Sequence, residues 1–229
     1  FITNAHKADA FTLLARTDPN TPGAKGISAF IVPRDTPGLT LGKNEKKMGQ
    51  QGAHICDVIF DNARIPASSL LGDKEGKGFI TAMQVLERGR LHISAICMGV
   101  ADRLVEDSTK YAAERKQFGA PIGNLQLVQA MLADSKMEHY AGRCMVIDAA
   151  RRRDLGEDVA TESSCCKLFC SEAVGRIADR AVQIHGGAGY VADYGIERFY
   201  RDVRIFRLYE GTSQVQQVII ARNMLKAVS

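Results

Sequence analysis

Between residues 159 and 184 an apolar or small residue returns every three or four positions: Val159, Ser163, Cys166, Cys170, Ala173, Ile177, Ala181 and Ile184. That step sets one face of a long α-helix toward a core, whereas a strand would repeat every second residue. Ile93, Cys97, Val100, Leu104, Ser108 and Tyr111 keep the same step, and so do Met137, Tyr140, Cys144 and Ile147. The pattern therefore predicts three long helices, each with one apolar face turned inward. Gly119–Gly123 around Pro121, Gly156, and the run HGGAGY (185–190) interrupt it, as glycine and proline do at helix ends. A final helix is expected from Thr212 to Lys226, and a short one around 195–204. Long helices joined by short breaks pack as an up-and-down four-helix bundle. ARRRD (150–154) closes the second long helix, where positive charge suits the negative end of the helix dipole.

The first part of the chain has another texture. AFTLLART (10–17), ISAFIVPR (27–34) and CDVIFDNARIP (56–66) are short apolar runs separated by Gly- and Pro-containing segments, the signature of strands and turns. Lys43, Lys46 and Lys47 are expected in a solvated loop. The fold class is thus mainly α, with a β region over 1–72 and a helical bundle over 73–229. With 45% hydrophobic and 24% charged residues, the chain has the composition of a globular protein. A net charge of +4 gives no reason to invoke nucleic acid, and no apolar run approaches the roughly 20 residues of a membrane span. The opening FITNAHKADAF has neither Met nor a signal pattern and looks like the middle of a strand. Cys56, Cys97, Cys144, Cys165, Cys166 and Cys170 lack paired zinc spacing, so reduced thiols are expected and no metal site.

Four stretches carry candidate chemistry. In RLYEGTSQVQ (207–216), Thr212 is placed to cap a helix and Gly211 permits a close approach. Glu210 is then either a solvated residue of a capping segment or a base beside free helix N–H groups that hold developing negative charge. In ERKQFGAPIGNLQ (114–126), Arg115 and Phe118 either end a helix and close the core, or meet a phosphate and a planar ring. In QIHGGAGY (183–190), the glycines either end a helix or turn N–H groups toward a diphosphate, and His185 is expected in a loop. In LERGRLHISA (86–95), Glu87 and Arg90 share a helix face and are placed for an ion pair.

In their order and spacing, FITN, RGR…MGVA, YAAERKQFG, QIHGGAGY, RDVRIFRLYEGTSQVQ and IARNML resemble the acyl-CoA dehydrogenase family along essentially the whole chain. The resemblance implies an FAD enzyme that introduces a trans double bond between Cα and Cβ of an acyl-CoA thioester. It implies Glu210 as the base that takes the α-proton while the β-hydride moves to the flavin. The thioester oxygen is then held by the backbone N–H of Glu210 and a flavin ribityl hydroxyl. Some relatives carry the base on the first long helix instead, just before the residue matching Arg90. Here that position is Gly89, which favours Glu210 and disfavours the isovaleryl-CoA and long-chain arrangement. The carboxylate at 210 is also a Glu, not the Asp of the related nitroalkane oxidases.

For the cofactor, the resemblance implies Arg115, Gln117 and Phe118 as contacts from a neighbouring subunit, with Gln183, Gly186 and Gly187 as a second such set. Thr212 and Gln214 meet the FAD from the last helix, and Phe1, Ile2 and Thr3 lie beside the flavin ring. Glu87, Arg90 and Gly211 match substrate-side positions. A dimer or tetramer, electron-transfer flavoprotein as electron acceptor, and a bacterial cytoplasmic or mitochondrial matrix location follow from the same likeness. Family members begin with a helical domain and the first half of a β domain. Neither is in this sequence, so the expectation is a chain that alone binds FAD weakly and turns over no acyl-CoA. Two further expectations are a silent oligomerisation module and an oxidase of the same superfamily that uses oxygen.

Overall fold

The structure, a computed structural model, describes residues 1–72 and 74–228. The chain divides into two units, Phe1–Val85 and Leu86–Ser229.

In the first unit β1 (Ile2–Thr3), β2 (Ala10–Arg16), β3 (Ile27–Pro33), β4 (Leu39–Leu41), β5 (Ile55–Cys56) and β6 (Val58–Phe60) form antiparallel pairs. These are β1 with β5, β2 with β3, and β4 with β6. The runs at 10–17 and 27–34 fall on β2 and β3, with Phe11 opposite Val32 and Leu13 opposite Phe30. An Asx turn after β2 fixes that register: Asp18 Oδ1 accepts the N–H groups of Asn20 and Thr21. The run at 56–66 yields less strand than expected, because Asn62 turns into the left-handed region and ends the pairing after Phe60. Ala5, Phe11 and Cys56 form a small core flanked by Leu39, Leu41 and Val58. Lys43 and Lys46 are solvated, but Lys47 is half-buried. Its ammonium folds back onto the carbonyls of Gln50 and Ala53, where backbone acceptors replace water.

Helix α1 runs Gly78–Glu114, and its residues from Leu86 belong to the second unit. A small hairpin follows, β7 (Lys116–Gln117) with β8 (Ala120–Pro121). Then come α2 (Gln126–Asp154), α3 (Ala160–His185), the single turn α4 (Gly187–Tyr190), α5 (Ile196–Val203) and α6 (Ser213–Lys226). The predicted short and final helices are α5 and α6. The long stripe of α3 is buried throughout, from Val159 to Ile184. The core joins Ile93, Cys97, Met98, Ala101 and Leu104 of α1 to Cys170, Val174, Ile177 and Ala181 of α3, with Val203 of α5 and Phe206 closing it. None of the six cysteines is paired. Burial pushes the Cys97 and Cys166 thiols up to about 12, so they are packed as apolar side chains.

One predicted face is turned the other way. Met137, Tyr140, Cys144 and Ile147 of α2 are all exposed. What α2 buries instead includes Glu138, His139 and Gly142. Gly142 lets α2 approach closely, since a Cβ there would stand 2.4 Å from Met98 Sδ. Glu138 is only 9% exposed, and it is satisfied by Arg176 Nε at 2.7 Å and Arg180 Nη1 at 2.8 Å from α3. A charge clamp and a glycine contact fix α2 to its neighbours beside a different apolar set, Val128, Met131, Leu132, Val146 and Ala149.

Candidate active site

The segment before α6 is built on an unusual backbone. A 3-10 turn, Arg204–Arg207, anchors Phe206 in the core, and Phe206 stacks on Tyr209 with centroids 5.9 Å apart. Glu210 (φ 56°) and Gly211 (φ 85°) are then both left-handed. For glycine this is free, but for a glutamate it costs on the order of 1 kcal/mol. Thr212 is the N-cap of α6, and its hydroxyl accepts the N–H of Val215. The fully buried Gln216 on the first turn of α6 holds the strained pair. Its Nε2 donates to the carbonyls of Glu210 at 3.1 Å and Gly211 at 3.2 Å. A Cβ at 211 would sit 2.6 Å from that nitrogen, so both conformation and contact require Gly211.

The left-handed turn throws the Glu210 side chain against α1. A Cβ on Gly89 would stand 2.5 Å from Glu210 Oε2, so the carboxylate lies directly on bare helix backbone. Oε2 is buried and accepts no hydrogen bond, an arrangement that needs compensation. Two cations supply it through space. Burial pulls the Arg90 guanidinium down, while the Glu87 and Glu210 carboxylates act against that. Arg90 Nη1 reaches Ser164 Oγ at 3.3 Å, and its Nε is buried without a partner. Lys167 of α3 is fully buried with an unpartnered ammonium. Burial pulls Lys167 down, against the opposing influence of Cys97, Glu172 and Glu210. Glu87 is half-buried and influences Arg90 only through space, so the expected ion pair becomes a shared field around Arg90. A desolvated carboxylate oxygen, unpartnered and in the field of one buried and one half-buried cation, is placed to exchange a proton with a group brought to it.

Four of the other predicted residues meet where α1 and α3 end. Arg115, Gln117, Gly186 and Gly187 line one cavity of ≈ 480 Å³ with Tyr111 and His185. Phe118 and Gly119, with φ 53° and 80°, turn the β7–β8 hairpin as a two-residue primed turn does. Phe118 stands 90% exposed at the tip, so it does not close the core. Gly186 ends α3 at φ 58°, ψ −134°, a conformation open only to glycine. A Cβ on Gly186 or Gly187 would meet open space, so the cavity beside them is free for a ligand. Gln183 is exposed on the last turn of α3, and Gln214 is exposed on α6. Phe1, Ile2 and Thr3 are exposed in the first unit. His185 is not a loop residue: it ends α3, is buried, and stacks on Tyr111 at 4.2 Å. Sequence reasoning did not find Lys167, Gln216 or Glu172. Lys167 had one signal, a polar side chain at a position whose helical neighbours Ser163, Ser164, Cys170 and Ser171 are all buried.

The profile of the acyl-CoA dehydrogenase C-terminal domain matches residues 76–225, and that of the acyl-CoA dehydrogenase middle domain matches residues 1–63. A 3-(aryl)acrylate reductase of Clostridium sporogenes is 44% identical over 99% of this chain and 59% of its own length. A caffeyl-CoA reductase–Etf complex subunit of Acetobacterium woodii is 42% identical over the same shares. The solved butyryl-CoA dehydrogenase of Megasphaera elsdenii superposes with a TM-score of 0.94 at 38% identity, over 98% of this chain and 58% of that one. The chain belongs to the acyl-CoA dehydrogenase family, covering the end of its middle β domain and its C-terminal helical domain, and it spans under two thirds of the length of these relatives. Among the described residues no helix is long and apolar enough to cross a membrane.

Proposed function

We propose that the protein bearing this chain is an FAD-dependent acyl-CoA dehydrogenase in which Glu210 exchanges the α-proton of the thioester. The observation that carries the reading is the Glu210 carboxylate itself: Oε2 buried, unpartnered, pressed on the backbone of Gly89, in the field of the half-buried Arg90 and the buried Lys167. A thioester α-proton is a weak acid, so removing it requires a desolvated base and a donor for the enolate oxygen. Glu210 is the base, and its own N–H is the donor. Gly211, Glu87 and Arg90 are the proposed substrate-side positions. Residues 1–72 are read as the middle domain and 73–229 as the C-terminal domain.

The cavity at Arg115, Gln117, Gly186 and Gly187 fits a flavin dinucleotide, because it offers a guanidinium, an amide and bare backbone beside open space. Phe118 offers an exposed ring face and Gln183 an exposed amide; Thr212 and Gln214 on α6 are proposed as separate FAD contacts, and Phe1, Ile2 and Thr3 as a further set within the first unit. Bound FAD supplies a two-electron acceptor for the β-hydride. The hairpin and the α3 end are proposed to serve a neighbouring copy, so the working form is a dimer or tetramer. An electron-transfer flavoprotein is the proposed redox partner, a reading supported by the Etf complex in the name of one relative. The same likeness to reductases favours a second reading, in which the cell runs the reaction toward the saturated acyl-CoA. Glu210 would then give its proton to Cα, as reversibility requires.

The test is Glu210→Gln in the full-length protein, with anaerobic acyl-CoA addition and the flavin absorbance followed. Loss of the bleaching rate on the order of 10²–10⁴-fold, with flavin content kept, is expected. A variant that bleaches at the original rate would remove Glu210 from the proton transfer.

A further inference from the structure

We infer that Glu172 is the positioning residue for Glu210, a role that rests on the proposed proton transfer but has its own signature. Glu172 lies on α3, far from Glu210 in sequence, yet its two oxygens divide between the two flanks of the strained turn. Oε2 meets Arg207 Nε at 3.2 Å, three residues before Glu210. Oε1 accepts the hydroxyl of Ser213 at 2.7 Å, three residues after it. One carboxylate therefore closes a loop whose apex is the left-handed Glu210–Gly211 pair.

α3 is shaped to receive this strap. Gly175, one turn beyond Glu172, carries no side chain, and a Cβ there would stand 2.1 Å from Arg207 Nη2. The guanidinium thus lies flat on bare helix backbone beside its partner. Ser213 is only 4% exposed, so its hydroxyl has lost its water and depends on Glu172. Gln216 holds the apex carbonyls from inside, whereas Glu172 sets where the two ends of the turn stand. Lys167 feels both carboxylates, Glu172 and Glu210, so loosening the strap also alters the field at the apex. A base displaced by about 1 Å loses up to two orders of magnitude in rate.

The experiment compares Glu172→Gln and Gly175→Ala in the full-length protein by hydrogen–deuterium exchange and by turnover. Glu172→Gln keeps an acceptor for Ser213 and loses the charge that holds Arg207. Gly175→Ala favours the helix and expels Arg207, so a destabilised α3 cannot explain its effect. Both are expected to raise exchange in 207–213 on the order of 10-fold with the interior of α3 unchanged. Turnover should fall about 10- to 100-fold while KM stays within about twofold. Glu172→Asp should recover part of both losses. Unchanged exchange in 207–213, or exchange raised equally along α3, would overturn the positioning role. Turnover retained by Glu210→Gln would instead overturn the base assignment, and the exchange result would stand apart from it.

Discussion

The strained turn at Glu210 can be tested at the residue that holds it from within. Replacing Gln216 by Met keeps side-chain length, volume and helix propensity close to the original. It removes one donor that serves two carbonyls, those of Glu210 at 3.1 Å and Gly211 at 3.2 Å. Gln216 is fully buried, so water does not replace the donor without rearrangement. Each lost bond is worth about 1 kcal/mol net, and leaving the acceptors bare adds to that. Against this, Gln216 Oε1 is itself buried without a partner, and methionine removes that debit of about 1 kcal/mol. The balance is about 1–2 kcal/mol of destabilisation, or roughly 2–8 °C in Tm for a chain of this size. Turnover should fall further than stability implies, because the freed turn relaxes toward right-handed φ and withdraws the carboxylate from Gly89. The assay pairs thermal unfolding with the anaerobic bleaching rate. A Gln216→Met protein with unchanged Tm and unchanged rate would refute the claim that this amide maintains the turn.

Three further outcomes follow from the same geometry. Phe118→Ala should leave Tm unchanged, since the side chain is 90% exposed, and should lower the FAD retained on gel filtration of the full-length protein. Glu138→Gln should destabilise by about 2 kcal/mol in urea titration, below the 3–5 kcal/mol of a fully buried broken pair, because Arg176 is partly solvated. Burial holds the His139 imidazole below its ordinary range, with Lys136 and Arg143 adding to that and Asp102 opposing it. The unfolded chain therefore takes up a proton near pH 6.5 that the folded chain resists. Stability is full above about pH 6.5 and falls as pH drops below it, and His139→Gln should flatten that slope in Tm measured against pH.

The helices and their order were legible because a helix advertises its buried face through a local period. α3 is the clearest case, since it is enclosed on nearly every side and its stripe from Val159 to Ile184 is buried as the spacing requires. The same rule misled at α2. Apolar residues at Met137, Tyr140, Cys144 and Ile147 have helical spacing yet face outward, because periodicity says that a face exists and not what covers it. The inward face of α2 combines Val128, Val146 and Ala149 with Glu138 and Gly142, and the charged residue and the glycine carry no hydrophobic signal. The Thr212 cap was legible in the sequence, whereas the spacing left Glu210 open between a capping residue and a base.

The support for Glu210 was hidden for a different reason. Gly89 meets Glu210, and Glu172 meets Arg207 and Ser213, contacts that join residues far apart in sequence and belong to no local motif. Each is conspicuous only as an oddity where it stands: a glycine inside a long helix, a serine after a cap, a lysine among small buried residues. Glycine weakens a helix interior and buried lysine is costly, so such residues persist where another element needs the space or the charge. Gly89 supplies space for a carboxylate, Gly175 for a guanidinium, and Lys167 a charge within the field of both Glu172 and Glu210. Local penalties on α1 and α3 thus converge on one left-handed turn, and that convergence is the physical basis for proposing that Glu210 acts there.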